Sequence, residues 1–148
     1  MIVVQVRRLG VVLVAALALA GCASPTESAL ADAQQACENF GYGSDGSWTG
    51  GEDAPTVGDW DAAKWKEVAA ELTDTVNIAA RAAREDRSWD SLSNAFTDFQ
   101  KLTVYRGTIE NLSMPQADRD AAQAQYDALN PPGVVRTMEQ ECRKALAD

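Results

Sequence analysis

The segment WKEVAAELTDTVNIAARAA, residues 65–83, decides the fold class. Its apolar residues recur every three or four positions, which is the spacing of one face of an α-helix. That stripe consists of Trp65, Val68, Ala69, Leu72, Val76, Ala79, Ala80 and Ala83. Asp59 or Asp61 is placed to cap the start of this helix, and the helix should end near Asp86. Ile78 lies off the stripe and indicates contacts on a second face.

The same periodicity predicts further helices on both sides of this segment. We expect a first helix over Ser28 to Phe40, a third one capped by Ser88, a short alanine-rich one over 116–129, and a last one after the breaker Asn130-Pro131-Pro132-Gly133. The third should either kink or break near Gly107, or pack on two sides, because its apolar register changes after Phe99. The expected inner faces of the last two helices are Ala117, Ala121, Ala124 and Ala128, and then Val134, Val135, Met138, Cys142, Ala145 and Leu146. The sequence therefore predicts an all-α bundle of four or five helices over residues 29–148, with one long glycine-rich loop.

The N-terminus has the pattern of an export signal. Residues 1–8, MIVVQVRR, end in two arginines and contain no acidic residue, and residues 9–20, LGVVLVAALALA, are uninterruptedly apolar. Twelve residues span about 18 Å as a helix, which is too short for a hydrocarbon core of roughly 30 Å. A basic flank followed by a short apolar block is typical of a signal peptide.

Leu19-Ala20-Gly21-Cys22, directly after this block, resembles the lipobox of bacterial lipoproteins. The resemblance implies that residues 1–21 are cleaved off and that the Cys22 thiol carries a diacylglycerol. Residues 22–28 would then be a polar tether, and the protein would be lipid-anchored on the extracytoplasmic face of the cell membrane. The alternative is an ordinary secretory signal in which the cysteine is incidental.

Two cysteines remain once Cys22 is assigned to lipid. Cys37 and Cys142 both lie on expected inner faces, of the first and last helices, and export delivers them to an oxidising compartment. We therefore expect one disulfide that joins these two helices. Free thiols used in redox chemistry are the alternative, which no Cys-x-x-Cys spacing supports.

Composition excludes several classes of function. The 148 residues include 22 acidic, 13 basic and no histidine residues. Removing residues 1–21 takes away Arg7 and Arg8 but no acidic residue, so the net charge of −9 becomes −11. Such a balance disfavours nucleic acid as a partner. The lack of histidine excludes a Ser-His-Asp triad and histidine-ligated metal sites.

The loop over residues 41–59, GYGSDGSWTGGEDAPTVGD, is the main candidate for a contact surface. Tyr42 and Trp48 lie in it and Trp60 follows it, and these aromatic rings either form an exposed contact surface or pack over the bundle. Asp45, Glu52 and Asp53 lack the spacing of a calcium loop. We expect neither a metal nor a cofactor.

The sequence favours a non-enzymatic, membrane-anchored lipoprotein that acts through contacts with an envelope protein, as an interaction or accessory protein. The alternative is a module that binds a small ligand or a glycan through the 41–59 loop, because aromatic side chains suit such pockets. A hydrolase that uses paired carboxylates on cell-wall glycans is a third possibility, although no pair of acidic residues stands out.

Overall fold

A computed structural model describes residues 24–47, 49 and 60–147. These residues form five α-helices, with a single 3₁₀ turn at Arg87–Trp89 between the second and the third, and the described part of the chain contains no β-strand. The helices are α1 Pro25–Phe40, α2 Ala62–Glu85, α3 Asp90–Ile109, α4 Gln116–Ala128 and α5 Pro131–Leu146. The predicted all-α bundle is confirmed.

Helix α1 begins three residues earlier than the sequence pattern predicted. The Ser24 hydroxyl accepts a hydrogen bond from the Glu27 amide, and the Glu27 carboxylate accepts one from the Ser24 amide, which is a complete capping box. Pro25 suits the first position of the helix, where its missing N–H costs nothing. Residues 25–28 of the predicted tether are therefore helical. Gly41, at φ 107°, ends the helix.

Helix α2 packs between α1 and α3 and runs antiparallel to both. Asp61 caps it, and it ends at Glu85, as expected. The Arg81 guanidinium, near the end of α2, binds Asp32 of α1 at 2.9 Å, and Gln100 of α3 donates to the carbonyl of Ala69. Because α2 has a neighbour on each side, its buried face is wider than the predicted stripe. The buried residues are Trp65, Ala69, Leu72, Thr75, Ile78, Ala79 and Ala82.

Helix α3 is continuous through Gly107 and contacts α2, α4 and α5, so the expectation of packing on more than one side is confirmed. A Cβ at Gly107 would lie 3.2 Å from the Cβ of Trp65, so this glycine permits a close approach of α3 to the start of α2. Ser88 is not the side-chain cap that we predicted. Instead, the Asp86 carboxylate accepts a hydrogen bond from the Ser88 amide at the preceding 3₁₀ turn.

The predicted inner face of α4 is wrong. Its alanine stripe, Ala117, Ala121, Ala124 and Ala128, is exposed. The inward side carries the buried Ala122 and the half-buried Tyr126 and Leu129. Larger side chains bury more apolar area than alanines do, so Tyr126 and Leu129 decide which side of the helix turns inward.

The disulfide joins α1 to α5 as predicted. Cys37 and Cys142 have a Cα–Cα distance of 5.4 Å, and both side chains are fully buried. Gln34 adds a hydrogen bond to the carbonyl of Ala145 at 3.0 Å, so α1 and α5 are also antiparallel. Val135, which we placed on the inner face of α5, is instead 47% exposed.

Candidate ligand-binding clefts beside Phe40

Phe40, the last residue of α1, is the centre of an aromatic cluster. Its ring lies 5.4 Å from that of Phe96 and 5.1 Å from that of Phe99, both edge-on, and 5.9 Å from that of Tyr42 in a stacked arrangement. These are the distances at which aromatic pairs attract one another beyond their burial. The cluster fixes the end of α1, where the 41–59 loop begins, against α3.

Two clefts flank Phe40, one on each side. The first, which we call the Tyr42 cleft, has a volume of about 390 Å³. It lies between the end of α1 and the first half of α5, and its lining consists of Phe40, Tyr42, Val135, Met138 and Glu139. Four of these five side chains are apolar or aromatic, which is the composition expected of a pocket for a small apolar molecule.

The second, which we call the Trp60 cleft, has a volume of about 290 Å³ and lies between α1, α2 and α3. Its lining is more mixed and consists of Asn39, Phe40, Trp60, Val68, Glu71, Leu72, Thr75 and Phe99. Tyr42 and Trp60 therefore line separate clefts with Phe40 between them. The structure does not bring these two predicted contact residues into one cavity.

Tyr42 is buried, with 7% of its surface exposed. Its ring therefore packs against the bundle, the alternative that the sequence left open, and only borders the Tyr42 cleft. Burial raises the pKa of the Tyr42 phenol, the Glu139 carboxylate raises that pKa further, and the Arg143 guanidinium opposes them. The phenol thus stays neutral at physiological pH. Glu139 and Arg143 themselves form a surface ion pair at 2.6 Å.

Trp60 is half-buried and stands edge-on to Trp65, with ring centroids 4.8 Å apart. Trp65 is buried in the core, as predicted, and so is Trp89. Neither indole N–H of the Trp60–Trp65 pair meets an acceptor within the described residues. Trp48 and Cys22 lie outside the described residues.

The start of the 41–59 loop is tied to α5. Gly46 has a positive φ of 71°, and a Cβ there would lie 2.8 Å from the Cα of Arg143. The Asp45 carboxylate accepts hydrogen bonds from both the amide and the hydroxyl of Ser47, and these bonds lower its pKa. Asp45 therefore has a local structural partner. Within the part of the chain that the structure describes, no group of three His, Cys, Asp or Glu side chains could hold a metal ion.

A third cavity, of about 390 Å³, lies between α3 and the start of α5. It is more polar than the clefts beside Phe40, and its lining includes Ser91, Asn94, Asp98, Asn130 and Thr137. Asp98 already pairs with Lys101 at 2.8 Å, and the Thr137 hydroxyl donates to the carbonyl of Gly133. Two of its polar side chains thus have partners within the protein, and the Tyr42 cleft, with its mainly apolar lining, is the better candidate for an apolar ligand.

Sequence reasoning missed Phe40 and Glu139 as site residues. The sequence pattern identified Phe40 only as the last residue of the first helix. The usable signal was the pattern Phe40-Gly41-Tyr42, in which two aromatic residues flank a helix-ending glycine. Glu139 carried no signal of its own, because one glutamate among 22 acidic residues is not distinctive.

Comparison of the chain with known protein families, curated proteins and solved structures finds no match. Among the described residues, none of the helices combines the length and the apolar character needed to cross a membrane.

Proposed function

We propose that this chain is a bacterial lipoprotein, anchored through Cys22 on the extracytoplasmic face of the cell membrane, whose helical bundle acts through contacts with an envelope protein and not as an enzyme. The observation that carries the proposal is the sequence Leu19-Ala20-Gly21-Cys22 at the end of a basic and then apolar leader. Two acyl chains would supply the double signal that stable membrane attachment needs.

Two features of the bundle support an extracytoplasmic location. The Cys37–Cys142 disulfide is of the kind that persists in oxidising compartments. In addition, helix α1 is capped at Ser24, only two residues after the proposed lipid site. A folded domain therefore begins directly after the anchor, as the mature part of an anchored protein would.

Metabolic labelling with palmitate tests the anchor. We expect label on the wild-type chain and none on Cys22→Ser. Ser24→Ala is the matched control, because it changes a neighbouring residue and leaves the cysteine in place, and it should be labelled like the wild type. An unlabelled wild-type chain recovered from the medium would favour an ordinary secretory signal.

Crosslinking in cells, followed by mass spectrometry, tests the contact with an envelope protein. We expect one abundant envelope partner that is enriched with the wild type and absent with Cys22→Ser. A labelled, membrane-bound chain that enriches no partner would leave the anchor standing and overturn the accessory role.

A second candidate function is the binding of a small apolar ligand, and the apolar lining of the Tyr42 cleft is the observation that favours it. We propose a fluorescent apolar dye as the probe. A charge at the rim, Val135→Asp, should weaken dye binding roughly tenfold or more, because the dye would desolvate the new carboxylate. Val104→Asp is the matched control, since Val104 is similarly exposed (51% against 47%) but lies outside this cleft. Equal binding by both variants would count against the Tyr42 cleft.

A further inference from the structure

The two ends of the bundle differ in their distance from the proposed anchor. Ser24 is two positions after Cys22, with Ala23 between them, and two steps of the chain span at most about 7 Å. Helix α1 then runs for 16 residues, or about 24 Å, away from its first turn. The start of α1 is therefore held near the lipid, and its end at Phe40 lies up to about 24 Å farther from the anchor.

The end of the bundle nearer the anchor is formed by the start of α1, the α2–α3 junction and the end of α5, which lie side by side. Thr26 and Glu27 of α1 share a small cleft with Asp86 and Trp89 at the α2–α3 junction. Lys144, near the end of α5, lies 4.3 Å from the centroid of the Trp89 ring and also donates to the carbonyl of Ser88. Together they make one surface, which we call the proximal end. Arg87, on this surface, has a side chain that is 91% exposed.

The opposite end carries the candidate clefts and an exposed leucine. Gly107, near the end of α3, lies beside Ala62 and Trp65 at the start of α2, and Phe40 and Trp60 line one cleft at the same end. Leu112, just beyond α3, is 82% exposed. We call this surface the distal end.

Charge argues against the bundle lying on its α1 side. Residues 25–40 contain no lysine or arginine, and Asp32 and Glu38 lie along the length of this helix. Arg81 of α2 pairs with Asp32, whereas Glu27 lies at the proximal end, where Arg87 and Lys144 supply basic charge. An anionic phospholipid surface repels such a helix, whereas it attracts basic segments. The short tether and the acidic α1 together favour an upright arrangement.

We propose that the bundle stands end-on, with its proximal end against the phospholipid headgroups and its distal end directed away from the membrane, where it is open to a partner. This inference rests on the proposed anchor at Cys22. It assigns the clefts beside Phe40 and the exposed Leu112 to the outward surface.

Fluorescence quenching by lipid nitroxides tests this orientation. The full lipidated protein is reconstituted in anionic phospholipid vesicles that contain a lipid with a nitroxide on its headgroup. One added cysteine is labelled in each of three variants, Arg87→Cys, Gln35→Cys and Leu112→Cys, at exposed positions of different height. Cys37 and Cys142 have no free thiol because they form the disulfide, and in the lipidated protein the Cys22 sulfur is occupied by the proposed lipid, so the dye reacts with the added thiol.

The end-on arrangement predicts strong quenching at residue 87, weaker quenching at residue 35 and loss of quenching at residue 112. Equal quenching at residues 35 and 87 would show that the bundle lies on α1, and the strongest quenching at residue 112 would show an inverted orientation. Either result overturns the inference. Flotation with vesicles and palmitate incorporation are scored on the same samples. A chain that floats but is quenched in the wrong order contradicts only the orientation, whereas an unlipidated chain that does not float contradicts the anchor as well.

Discussion

Replacing both cysteines of the Cys37–Cys142 disulfide with alanine removes the covalent cross-link between α1 and α5. The two helices would still be joined by the hydrogen bond from Gln34 to the carbonyl of Ala145 and by apolar packing. Most of the loss in stability comes from the unfolded chain, because its conformational entropy rises when the disulfide is absent.

The size of the effect follows from the length of the closed loop. The two cysteines are 105 residues apart. In the chain-entropy model, a loop of this length makes the disulfide contribute about 4–5 kcal/mol to the free energy of unfolding. For a domain of this size, that loss lowers Tm by roughly 15–20 °C.

Urea unfolding followed by circular dichroism measures the loss. Cys37→Ala/Cys142→Ala is compared with its parent, with Cys22→Ser present in both to remove the anchor. The same parent, reduced and kept reduced, is the matched control, because it loses the crosslink and keeps both side chains. We expect a lower midpoint in both cases and a steeper dependence on urea, since an uncrosslinked chain exposes more surface on unfolding. A loss below about 1 kcal/mol in both would refute the reasoning, because the chain-entropy account would then not describe this loop.

Three further predictions concern the core, the loop and the titration of Tyr42. Phe96→Ala should lower the free energy of unfolding by about 3–5 kcal/mol in urea titrations, because Phe96 is fully buried and contacts the Phe40 ring. A loss below about 1 kcal/mol would contradict the central position that we assign to Phe96. Gly46→Ala should cost about 1–2 kcal/mol in the same assay, since its positive φ disfavours a side chain and its Cβ would meet the backbone of Arg143; an unchanged midpoint would mean that this turn does not pack on α5. The folded chain holds the Tyr42 proton more tightly than the unfolded chain does, because the pKa of Tyr42 is raised by folding. The protonated phenol therefore contributes to the free energy of unfolding below pH ~10, and this contribution is lost as the pH rises through the raised pKa. Wild type should therefore lose stability in alkali more steeply than Tyr42→Phe, and parallel curves would argue against a raised pKa.

The helices were predictable where large apolar residues recur at helical spacing. Residues 65–83 gave both the position and the end of α2, and the inward placement of Cys37 and Cys142 was enough to predict the disulfide. The prediction was wrong where the pattern rested on alanine alone. In α4, an all-alanine stripe buries little area, so Tyr126 and Leu129 turned another side inward.

The clefts could not be predicted, because each of them is formed between two or three helices and not within one segment. The Tyr42 cleft exists because α5 places Val135 and Met138 beside the end of α1, which depends on the register that the disulfide fixes. Periodicity assigns a face to each helix but says nothing about its height relative to a neighbour. For the same reason, the hydrogen bonds from Arg81 of α2 to Asp32 of α1 could not be predicted from either helix alone.

Mass spectrometry of the N-terminal peptide of the membrane-bound protein tests the central claim most directly. The proposed anchor predicts that the mature chain begins at Cys22 and that this residue carries the mass of a diacylglycerol on its sulfur. An N-terminus at any other residue, with an unmodified Cys22, would contradict the claim.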